Sequence, residues 1–157
     1  MVTVTGTLAR AAVAGLIAAV VMDVPMNRQA EGFTPAYVAA SVLRRTDVDG
    51  VPFRDASTLH HATGVLAGLL FGAVYLALSA VLPPVLVLGT LSLVAHVAAL
   101  AVVVAFVYTF FADLVLPRFG TELGEDRTTA VTGQWLRSAV VFGVTVALVF
   151  PALLAVA

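Results

Sequence analysis

Five side chains able to do chemistry stand in, or beside, stretches that are otherwise uncharged: Asp23, His60, His61, His96 and Asp113. An ionisable group inside hydrocarbon is costly to keep, so each is a functional candidate by default. Imidazole can exchange a proton near neutral pH, ligate a metal or hydrogen-bond a neighbour. His96 lies about 12 residues into the third apolar stretch, roughly 18 Å down a helix and near the bilayer middle. Ser92 and Tyr75 are its candidate partners. His60 and His61 lie about 22 residues, roughly 33 Å, from the Pro83-Pro84 break, which places them at the membrane interface. Asp23 and Asp113 fall near the same ends of the first and third stretches. They are expected to pair with Arg28 and with Arg118 or Arg137, respectively. The sharper alternative is a proton relay through Asp23, His96 and Asp113. Helical phase sets His96 well round from Asp113, which argues against a wire along that helix.

Other chemistry is not signalled. His96 and His60/His61 differ by some 15 Å in depth, too far for one haem within the hairpin. Three histidines, two of them adjacent, do not match a zinc pattern. H-E-x-x-H, G-x-S-x-G, a Walker loop and G-x-G-x-x-G are all missing. All eight basic residues are Arg, and there is no Cys. Lysine Schiff bases, disulfides, thiol redox chemistry and thiolate metal sites are therefore excluded. Net charge is −1 with no basic run, so a nucleic-acid partner is not expected. No catalytic residue, metal or cofactor is assigned.

The elements that must position these residues follow from composition. Of the 157 residues, 61% are hydrophobic and 11% charged, and mean hydropathy is +1.08. A chain this short has too little interior to hide so much apolar side chain, so the bilayer is the expected sink. Ala56 to Ala112 contains no Asp, Glu, Lys or Arg. That desert holds two spans of about 20 residues each, broken by Pro83-Pro84. The expectation is an all-α integral membrane four-helix bundle in one domain, residues 1–157. Its spans are placed at about 8–26, 58–82, 84–112 and 135–157, on apolar length. The first closes at Asp23-Val24-Pro25. A signal peptide is its rival reading, but Arg10 follows nine uncharged residues and no A-x-A site follows the core.

Between spans 1 and 2, Thr34 as N-cap and Pro35 at the first helical position predict a short interfacial helix. Its apolar face would carry Ala36, Tyr37, Ala40 and Leu43. Asp47-Val48-Asp49-Gly50 reads as a turn, since it lacks the later ligands of a calcium loop. Seven of the eight Arg flank or fill the two long loops. The positive-inside rule then makes that side cytoplasmic, with both termini and the Pro83-Pro84 turn outside. The predicted location is the cell membrane, multi-pass.

Gly64, Gly68 and Gly72 share one face of span 2, and Ala11, Gly15 and Ala19 repeat the spacing on span 1. Small residues let helix backbones approach closely, so these faces are predicted to pack together. A homodimer seam on span 2 is the alternative.

Gly15-Leu-Ile-Ala-Ala-Val-Val-Met22 with Met26, His60-His61 running into Phe71-Gly72-Ala73-Val74-Tyr75, and His96 in a third span resemble small YagU-like membrane proteins of unknown function. The resemblance covers most of the chain. It implies a polytopic inner-membrane protein of four helices and transfers no catalytic residue. The leading functional reading is a non-enzymatic scaffold or accessory subunit, with lipid, a second copy or a membrane subunit as partner. Alternatives are a small transporter or proton channel formed by oligomerisation around His96, and a haem- or quinone-binding redox subunit.

Overall fold

A computed structural model describes residues 3–156. Four helices are long and apolar enough to cross a membrane: α1 (Val4–Arg28), α3 (Phe53–Val81), α4 (Leu93–Thr109) with its continuation to Phe119, and α6 (Glu125–Ala155). Two short helices, α2 (Thr34–Arg44) and α5 (Leu116–Phe119), lie at the loop side. α1 packs most extensively, against α3 and α6, and α4 closes the ring against the same two helices. The chain is thus an all-α, multi-pass membrane protein.

The α1–α3 seam is made by the absence of side chains. A Cβ on Gly68 would lie 2.9 Å from Gly15 Cα and still closer to the Ala11 carbonyl. One on Gly72 would meet Ala11 Cβ at 2.7 Å. Ala11 and Ala19 are fully buried at this crossing. Helices so close gain dispersion contacts that bulkier pairs cannot make, which is the main source of association where lipid is as apolar as the protein.

Several boundaries differ from the sequence reading. α1 does not close at Asp23; it runs to Arg28 with Pro25 inside it. The third span starts at Leu93 rather than Pro84. Residues 83–92 form a turn and a two-stranded hairpin, β1 (Val87–Leu88) with β2 (Leu91–Ser92). Two prolines cannot sustain a helix interior, and Gly89 opens the two-residue hairpin turn at φ 61°. Tyr75 Oη accepts the Ser92 N–H at 3.2 Å and ties the hairpin to α3.

α6 begins ten residues earlier than 135, so most of the second loop is helix. Glu31 joins the two loops: it pairs with Arg127 at 2.8 Å, and its N–H donates to Gln134 Oε1 at 2.8 Å. The helix α2 buries Ala36, Val38, Ala40 and Ser41, whereas Leu43 is exposed. It lies over the loop end of the bundle, against α3, and Arg44 pairs with Asp55.

Candidate functional site

Near the loop end, α1 and α3 bring Asp23, His60 and His61 together. His60 and His61 are adjacent on a helix and point about 100° apart. Both reach Asp23 because they straddle the line on which α1 lies. His60 Nε2–H donates to the Ala19 carbonyl at 3.0 Å and stands 3.5 Å from Asp23 Oδ1. His61 Nε2–H donates to Asp23 Oδ2 at 2.9 Å. His60 is buried, while Asp23 and His61 reach the rim. Asp23 thus meets histidines across the seam, not Arg28. Sequence reading treated His60 and His61 as an interfacial pair and Asp23 as a separate carboxylate. The signal that joins them is the small-residue register: Ala19 against Gly64 puts residue 23, one turn on, beside residues 60 and 61.

Beside this cluster is a cavity of about 360 Å³, within the range of ligand pockets, which begins near 300 Å³. Met22 and Met26 of α1, Phe142 of α6 and Ala36 of α2 form part of its walls, and His60 is one of its few polar residues. Of its lining residues, Leu66 of α3, Phe106 of α4 and Phe110 just beyond α4 are 62%, 49% and 47% exposed, which sets its mouth between these helices. Those side chains would face lipid.

A π turn, Phe110–Val115, supplies Phe110, Phe111 and Val115 to the wall. Pro117 has no N–H for the Asp113 carbonyl, and Leu116 N–H reaches back to Phe111, one residue beyond the α register. Trp135 packs on Phe111 at 5.2 Å and lines the cavity. Its Nε1 is buried and without a hydrogen-bond partner among the described residues. Sequence reading did not single out Trp135 or the phenylalanines as a site, because their convergence depends on the π turn.

His96 belongs to a different place. It lies in the first turn of α4, level with Tyr75 and Phe150, some six residues or roughly 9 Å from the hairpin ends of α3 and α6. It is therefore not at the bilayer middle. The error came from counting residues 84–92 as helix. Its ring stacks on Phe150 (5.9 Å, 8°) and meets Phe71 edge-on at 5.5 Å. Its Nε2–H donates to the Ala147 carbonyl at 3.3 Å, rather than to Ser92 or Tyr75. Pro151 leaves Ala147 without its helical N–H donor, so His96 fills the gap made by the kink.

Asp113 sits in the π turn and forms no ion pair with Arg118 or Arg137 among the described residues. The structure brings Asp23 to His60 and His61, but leaves His96 at the other end of the bundle. Fold and site define a multi-pass helical membrane protein with an apolar cavity beside a His–His–Asp cluster. No family model matches the chain, and no curated protein or solved structure is significantly similar to it.

Proposed function

We propose that this protein binds, without chemical turnover, a membrane-dissolved molecule of the isoprenoid-quinone class: a flat ring with a carbonyl acceptor and an apolar tail. One observation carries the reading: an apolar cavity, open at the side of the bundle, is walled by four phenylalanines and Trp135. The aromatic wall of Phe106, Phe110, Phe111 and Phe142 suits a ring, and the mouth between α3 and α4 admits a tail sideways. The Arg-rich loop side is read as cytoplasmic, which sets the cavity in the inner leaflet. A binding role is the form that the scaffold or accessory reading takes here. A proton channel centred on His96 has less support, since that ring is committed to Ala147.

Trp135 is the only tryptophan, so its fluorescence reports on the cavity. A short-chain quinone titrated into nanodisc-embedded protein should quench it saturably. Ala67→Phe, which fills the cavity, should raise the apparent Kd at least tenfold. Unsaturable quenching, equal in both proteins, would sink the reading. Organic extraction of gently purified protein should release a quinone in stoichiometric amount; phospholipid alone would also overturn it.

A further inference from the structure

We propose that Asp23, His60 and His61 form a binding site for a first-row divalent transition-metal ion, of which zinc is the representative. The donor set is two imidazole nitrogens and one carboxylate, a combination that suits Zn²⁺, Cu²⁺ or Ni²⁺ and not the all-oxygen preference of Mg²⁺ or Ca²⁺. The spacing is appropriate. Ligand atoms about 2.0–2.1 Å from a tetrahedral ion stand roughly 3.3 Å apart. The two nitrogen–oxygen separations are 3.5 Å (His60 Nε2 to Asp23 Oδ1) and 2.9 Å (His61 Nε2 to Asp23 Oδ2). One ligand atom from each residue lies within 4.8 Å of the others, so small side-chain adjustments suffice.

Two further observations point to a cation. Asp23 Oδ1 is buried and has no hydrogen-bond partner among the described residues. The carboxylate has no arginine partner among the described residues, and with two neutral imidazoles the cluster carries a net negative charge. A carboxylate at the edge of hydrocarbon that meets histidines and no arginine is costly, and a divalent ion reverses the local charge. To ligate, each ring moves its proton from Nε2 to Nδ1 and stays neutral, and His60 gives up the Ala19 carbonyl. That carbonyl keeps its helical partner, the Asp23 N–H, so nothing is stranded. His61 and Asp23 are partly exposed at the rim, which gives the ion a path in and leaves water the fourth position. The metal crosslinks α1 to α3 at the end of the glycine seam.

The test uses purified protein in nanodiscs without added quinone, so it is independent of the cavity reading. Co²⁺ should give visible d–d absorption of tetrahedral type at one equivalent, and Zn²⁺ should displace it. Zn²⁺ should raise the unfolding temperature of the wild type, and Mg²⁺ should not. His61→Ala and the near-isosteric Asp23→Asn should each weaken Co²⁺ binding at least tenfold, whereas His96→Leu should leave it unchanged. Circular dichroism of Asp23→Asn confirms that the helices persist. No absorption band overturns the proposal, as does equal binding by His61→Ala or Asp23→Asn, which would place the ion on other surface groups.

Discussion

Pro151 and His96 act as a matched pair. The proline removes a helical donor from Ala147, and an imidazole from α4 replaces it across the helix gap. Hydrogen bonds between membrane helices average about 0.6 kcal/mol and reach about 1.7, and His96 adds stacking on Phe150. His96→Leu should therefore destabilise by about 1–2 kcal/mol, read as a lower unfolding midpoint in SDS titration. Pro151→Ala restores the Ala147 partner within α6. In that background the cost of His96→Leu should shrink by half or more. An undiminished cost would mean that the ring's packing, not its hydrogen bond, matters. Gly68 is the other decisive residue. A larger side chain there meets the Ala11 carbonyl and Gly15 Cα, and cannot be relieved by a rotamer change because backbone is struck. Gly68→Leu should cost about 1–3 kcal/mol and lower the unfolding temperature, while the equally buried Ala95 should accept Gly more cheaply.

Among the elements, the π turn 110–115 matters most, because it decides where Phe110 and Phe111 point. Its cause is local: Pro117 strands the Asp113 carbonyl, and the chain takes the wider turn. Pro117→Ala returns an N–H to that carbonyl. The expected outcome is relaxation to α register and rotation of both phenylalanines out of the cavity wall, with a changed Trp135 emission maximum. An emission spectrum identical to wild type would show that the π turn is held by tertiary packing instead. α6 has its own device at the far end, where Arg10 Nε–H donates to the Leu153 carbonyl at 3.0 Å. Helix ends leave carbonyls without partners, and a cation there also favours the helix dipole. Arg10→Ala should speed amide exchange in the last turn of α6 and leave its middle unchanged.

At the scale of the molecule, four spans put the start of α1, the end of α6 and the β1–β2 hairpin at one end, and both Arg-bearing loops at the other. The chain has no Cys, so single cysteines can be introduced without a background. Leu86→Cys should react with an impermeant maleimide from outside intact cells, and Arg45→Cys only after lysis. Labelling of both from one side would overturn the arrangement.

Sequence alone determined the solvent. The charge desert and the overall hydropathy leave lipid as the only sink large enough, and lipid obliges each spanning segment to satisfy its backbone as helix. It also determined which faces of α1 and α3 are able to meet, since small residues four apart are a local property. Packing alone decided the sites. Adjacent histidines diverge on one helix, and only a close α1 crossing supplies the carboxylate between them. The cavity needed a π turn, and the start of α4 a proline hairpin, each a competition between backbone hydrogen bonds that residue spacing does not rank. The depth of His96 likewise waited on where α4 begins, because a strand and a helix carry the same apolar residues different distances.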